Sequence, residues 1–148
     1  MRMLIDQSLG KLQPSSPETW LDCIAELKQI DALFPDSIPP KYQLALQSLN
    51  FAVMNPHDEQ AEKLLIEAGQ TIDRLESMDG MKDIDMSDVY TLRGFFYMVR
   101  IVQDPAQNGK RYYLDVMRNY EKALNLNPDN KLASQLQDRF REGMRQRE

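Results

Sequence analysis

Apolar residues return at every third or fourth position through most of this chain, the period of a helix with one buried face. Trp20, Ile24, Leu27, Ile30 and Phe34 make one stripe, and Tyr42, Ala45, Leu46, Leu49, Ala52 and Val53 make a second. Ala61, Leu64, Leu65, Ala68, Ile72 and Leu75 make a third, and Tyr113, Val116, Met117, Tyr120, Ala123 and Leu124 a fourth. Leu132, Leu136, Phe140 and Met144 follow at intervals of four. No segment alternates with period two for long enough to make a strand. The stretch 89–102, VYTLRGFFYMVRIV, is apolar on all sides, which predicts a helix buried by several neighbours, central to the fold.

The breaks between stripes carry their own chemistry. Ser16-Pro17 and Asn55-Pro56 each put a capping side chain before a proline at the first helical position. Ser87 is placed to cap the helix that follows, with Asp88 near its positive end. Asp79-Gly80 and Asn108-Gly109 read as turn or C-cap signals, and Pro39-Pro40 ends the segment before it. These signals predict seven helices, at 2–12, 17–34, 40–54, 57–78, 87–103, 110–126 and 130–146, with PAQNGK a loop between the fifth and sixth. Short connections favour antiparallel neighbours.

The segment NYEKALNLNPDN, 119–130, resembles the second half of a tetratricopeptide repeat (TPR), a helix–turn–helix unit of about 34 residues. Tyr120, Ala123 and Pro128 stand at its aromatic, small and terminal proline positions, with Val116 where Ala is usual. Upstream, Tyr90, Arg93, Gly94 and Tyr97 resemble the first helix of the same unit, with Arg93 in place of Leu. The resemblance is fullest over 87–130. Cys23, Leu27, Ile30 and Pro35 echo the spacing, with only the proline matching in type. Pro35 and Pro128 lie further apart than two repeats, which implies insertions around 54–60, at DGMKDIDMSD and inside the third unit.

The resemblance implies an all-α fold of stacked antiparallel helical hairpins, a right-handed TPR-like α-solenoid. One domain, 1–148, would hold about three divergent units at 1–37, 40–80 and 87–130, with a capping helix at 130–146. Gly94 and Ala123 would allow close helix approach, while Tyr90, Tyr97 and Tyr120 fill the seams and Pro128 sets the angle to the next element. First helices of such arrays line a concave surface. By that register Gln43, Gln47, Asn50, Thr91, Phe95 and Met98 would form a largely uncharged groove for a peptide or partner helix. Phe95 and Met98 have a second reading, burial beneath a terminal helix. The pattern is also similar to small exported bacterial proteins of TPR type, which implies an exported or periplasmic setting if a leader has been removed, and otherwise a cytoplasmic one. MRMLIDQSLG itself has no apolar core of signal-peptide length.

At 148 residues the chain is long enough to bury a core without staples. A formal net charge of -5 argues against nucleic acid as partner. Arg139, Arg141, Arg145 and Arg147 are interleaved with Asp138, Glu142 and Glu148, the mark of a solvated face. Glu59, Glu62, Glu67, Asp73 and Glu76 make an acidic helix face, either solvated or open to a basic partner. No run is long and apolar enough to span a membrane.

Candidate chemistry is sparse. Cys23, the single cysteine, lies on the stripe with Trp20 and Leu27 and reads as a core residue rather than a nucleophile. His57, the single histidine, reads as a surface residue at a helix start. DIDMSD resembles the start of a calcium loop, but Asp88 occupies the glycine position and Gly94 the closing glutamate position. No metal, cofactor or catalytic set is predicted. The expectation is a non-catalytic module binding a protein or peptide. The alternative is a self-associating subunit whose terminal helices pack on another copy.

Overall fold

A computed structural model of the chain describes residues 1–13 and 16–145. Among them it has seven α-helices and no strand: α1 (Arg2–Gly10), α2 (Pro17–Leu33), α3 (Ile38–Met54), α4 (Glu59–Glu76), α5 (Asp83–Gln103), α6 (Pro105–Leu126) and α7 (Lys131–Arg145). Where one domain is expected from length, the chain gathers into two compact units, Met1–Met78 and Asp79–Glu148.

In the first unit α2 packs on α3, α3 on α4, and α1 lies against α2 and α3. The core holds Ile5, Trp20, Cys23, Ile24, Leu27 and Ile30 with Leu44, Phe51 and Leu64. Full burial of each aliphatic or aromatic side chain stabilises by roughly 1.5–3 kcal/mol, so the α2 stripe carries much of this unit. Phe34 leaves the stripe: it is the C-terminal cap residue of α2, 36% exposed, because the helix ends at Leu33. Pro17 starts α2 at its first position, although the Ser16 hydroxyl makes no capping bond. α3 begins at Ile38, two residues earlier than expected, with Pro39 and Pro40 inside its first turn. Their missing N–H groups have no intrahelical acceptor there, so the ring costs little.

The Asn55-Pro56 cap is corrected. Asn55 closes α3, its Nδ2 donating to the Phe51 carbonyl at 3.1 Å, and Asp58 caps α4 by accepting from Gln60 N at 2.8 Å. Gly80 follows the end of α4 with φ 74°, a left-handed conformation that glycine adopts without a Cβ penalty.

In the second unit α5 packs along α6, and α7 contacts both. No residue from Asp85 to Gln103 is exposed, as an all-round apolar helix demands. Two sequence expectations fail here. α5 starts at Asp83, so DIDMSD is its first turn, and Ser87 is a buried interior residue rather than a cap. PAQNGK is helix, not loop. Asp104 alone separates α5 from α6; its side chain accepts from Gln107 N at 3.2 Å while Pro105 takes the first helical position. Asn108 donates to the Arg100 carbonyl at 2.8 Å, so the Asn-Gly pair braces the reversal from inside α6. Arg100–Asn108, Tyr97–Tyr112, Gly94–Tyr120 and Ser87–Ala123 then meet at successively greater distances from the turn, which makes the hairpin antiparallel.

Candidate functional site

On α3, Gln43, Gln47 and Asn50 fall at i, i+4 and i+7, one face of the helix. Gln47 Nε2 donates to Gln43 Oε1 at 3.2 Å, and Asn50 Nδ2 donates to Gln47 Oε1 at 3.3 Å. The result is a ladder of amides with Gln47 buried and its two neighbours half-buried. The Gln43 amide nitrogen at one end and the Asn50 amide oxygen at the other have no protein partner among the described residues. One end therefore offers donors and the other an acceptor, the complement of a peptide backbone.

The part of the groove expected from the fifth helix is corrected. Thr91 is 1% and Phe95 2% exposed, so neither presents surface to a partner. The physical reason is the helix they belong to, which is covered on every side. Thr91 Oγ1 donates to the Ser87 carbonyl at 2.8 Å. Met98 is half-buried, and the Tyr120 hydroxyl donates to its Sδ at 3.7 Å. The α3 amides lie in the first unit and Met98 in the second.

The residues singled out for packing lie as follows. Gly94 and Ala123 are both buried. A Cβ at Gly94 would sit 2.5 Å from Tyr120 Cε1, so the glycine is where the ring crosses α5. Burial drives the Tyr120 hydroxyl pKa far above its usual value. Tyr97 stacks on Tyr112 with centroids 5.3 Å apart, and the Lys122 ammonium lies 5.3 Å from the Tyr90 ring centroid. Pro128 is exposed in the α6–α7 turn.

Asn130, which sequence reading passed over, ties that turn to α5. Its Nδ2 lies 2.9 Å from Ser87 Oγ, 3.1 Å from Thr91 Oγ1 and 3.3 Å from Asp88 Oδ1. Its Oδ1 accepts from Ala133 N at 3.1 Å, capping α7. Ser87 Oγ donates in turn to the Ala123 carbonyl at 2.6 Å. Burial, then repulsion from Asp85, raises the Asp88 carboxyl above its usual pKa, against the pull of the Asn130 bond. The available signal was the NPDN segment itself, a helix terminator whose last residue is also a favoured cap.

A buried ionic cluster was also missed. Asp31 accepts from Lys41 Nζ at 2.8 Å and from Arg74 Nη1 at 2.9 Å; Lys41 also donates to the Pro35 carbonyl. Asp31 and Lys41 side chains are almost fully enclosed. The cluster joins the end of α2, the start of α3 and the end of α4, which sets these helices alternately up and down. Beside it a polar cleft of about 330 Å³ is lined by the Asp31–Arg74 pair and the Lys28–Glu67 pair, so its charges answer one another.

Cys23 is 1% exposed, and burial followed by the Glu26 carboxylate pushes its thiol up to about 11. Such a thiol stays protonated at neutral pH, the opposite of an activated nucleophile. His57 is exposed in the turn before α4. Among the described residues no His, Cys, Asp and Glu group is arranged to hold a metal ion, and no helix is long and apolar enough to cross a membrane. No protein-family model, curated protein or solved structure matches this chain.

Proposed function

We propose that the chain is a non-catalytic interaction module of TPR-like type, three divergent helical hairpins and a capping helix, that binds an extended peptide or partner segment on its inner face. The observation that carries this reading is the α3 ladder: three amides hydrogen-bonded in series, with unused donors at Gln43 and an unused acceptor at Asn50. Preordered amides lose little side-chain entropy when they receive a peptide backbone. Support for the hairpin architecture comes from α5–α6, antiparallel around one connecting residue with Gly94 and Ala123 buried along its length.

The test is selection of peptides from a displayed random library on the full chain, followed by affinity measurement with Gln43→Ala/Asn50→Ala. Two lost amide bonds weaken binding by about tenfold or more. Selected peptides that bind the double variant as tightly as the parent would refute the reading. A second reading, self-association, has one observation behind it: Met3 is 72% and Leu4 42% exposed on α1. Sedimentation over a concentration series decides it; a strict monomer removes it.

A further inference from the structure

The C-terminal half of α7 does not seal onto the hairpin beneath it. Three hollows adjoin there, all within the second unit. The first, about 140 Å³, is lined by Met98, Ile101, Val102, Phe140 and Met144, with Arg139 at its side. The second, about 410 Å³, runs over the start of α6, past Pro105, Gly109, Tyr113 and Leu114 to Met144, with Lys110 beside it. The third, about 240 Å³, lies between Tyr113, Met117, Phe140 and Met144 and is bordered by Arg141 and Arg145. Met144 lines all three, Phe140 the first and third, and Tyr113 the second and third, so they adjoin as one surface around the flexible Met144 side chain. Leu114 at 56% and Tyr113 at 39% exposure show that its apolar side chains stand open to solvent.

Charge on this surface has one sign. Lys110, Arg139, Arg141 and Arg145 line the hollows, and among the described residues no Asp or Glu lines any of them. Glu142 meets Arg145 at 3.6 Å, but both are well exposed, and a surface pair of that kind is worth little against a competing carboxylate. Arg147 and Glu148 lie outside the described residues. The arginines that look in sequence like a solvated face therefore rim an apolar floor.

We propose that this surface docks an amphipathic helical segment of a partner protein whose apolar stripe is flanked by Asp and Glu. The chemistry is complementary in both parts. An apolar cavity of about 150 Å³ is enough to hold a benzene ring, so the smallest hollow takes one large side chain. A helix presents such side chains at i, i+3, i+4 and i+7 from one face. Three methionines, Met98, Met117 and Met144, let the floor adapt to the side chains it receives. Four cations with no lining anion among the described residues select carboxylates on the flanks and reject a basic helix. A bilayer is the less suitable occupant, because these are concave, side-chain-sized hollows rather than a protruding apolar face. The site is on a different unit from the α3 amides, so each stands or falls separately.

The experiment uses the full chain and three fluorescent helical probes: an apolar stripe flanked by Glu, the same stripe flanked by Lys, and the Glu probe with its apolar positions scrambled. Anisotropy should show binding of the first alone, weakening as salt rises. Leu114→Glu should weaken it by about tenfold. Arg141→Glu/Arg145→Glu should weaken it by about fivefold or more. Gln43→Ala/Asn50→Ala should leave it unchanged. Both site variants alter exposed residues, and circular dichroism verifies that they fold. Equal binding of the Glu and Lys probes, or indifference to both site variants, overturns the proposal. So does binding to phosphatidylglycerol vesicles in place of the Glu probe, or a dimer that Leu114→Glu dissociates while the probe stays unbound.

Discussion

Replacing Gly94 by alanine adds one methyl group at the point where Tyr120 crosses α5. That carbon would lie 2.5 Å from Cε1, 2.7 Å from Cδ1 and 3.0 Å from Cζ of the ring. Carbon atoms pack comfortably at about 3.5–4.0 Å, so either the ring or the α5 backbone must give by about 1 Å. The ring has little freedom, being 0% exposed and tethered through its hydroxyl to Met98 Sδ. Overpacking of this kind costs about 1–3 kcal/mol, while alanine recovers roughly 1 kcal/mol of helix propensity. The net expectation is a loss of up to about 2 kcal/mol, a melting temperature lower by up to about 8 °C for a chain of this size. Gly109→Ala is the control on the same hairpin, because a Cβ there meets nothing within 4 Å; it should be neutral or stabilising. Tyr120→Leu should be less harmful in the Gly94→Ala background than alone, since it removes the ring the new methyl strikes. Thermal and urea unfolding followed by far-ultraviolet circular dichroism measure the parent, the three single variants and the double variant. If Gly94→Ala melts above the parent, the close approach of α5 to Tyr120 is wrong.

Asn130→Ala should lose about 2 kcal/mol, roughly half for the α7 cap and half for the bonds to α5, and Asn130→Ser should recover only the cap; equal stability of all three in urea melts would remove Asn130 from that role. Asp88→Asn should raise the melting temperature at neutral pH. Because the folded carboxyl titrates above its usual 3.8, protonation favours the folded state, and that stability is present below 3.8 and lost as pH rises through the folded value. The advantage of the Asn variant must therefore shrink as pH falls toward 3.8, and a constant or growing advantage contradicts the assignment. Cys23, with its thiol pushed up to about 11 inside the α2 core, should react slowly with a disulfide reagent at pH 8 and rapidly in urea; fast stoichiometric labelling of the folded chain would place it at the surface.

Helix identity was written in local pattern. The stripes beginning at Trp20, Tyr42, Ala61 and Tyr113 each became a helix, because a period of 3.6 needs only neighbours along the chain to be visible. The burial of 89–102 was equally plain, since a helix apolar on every side has no face to give to water. Turn chemistry was legible where the residues act alone, as at Gly80, and misleading where they serve a tertiary neighbour. Asn108-Gly109 reads as a turn, yet Asn108 reaches back to Arg100 across a reversal that a single residue, Asp104, provides. The amide register on α3 was set by sequence spacing; the hydrogen bonds that order it were not. Which polar groups go inside was decided by distant partners. Asp31 is held by Lys41 and Arg74, and Asn130 by Ser87 and Thr91, pairs up to 43 residues apart that no local period encodes. The same holds for Thr91 and Phe95, moved from an expected groove into the interior, and for the arginines around Met144, whose apolar floor exists only once α5, α6 and α7 are assembled. A repeating stripe specifies that a face will be buried, whereas the identity of what buries it is a property of the packed chain.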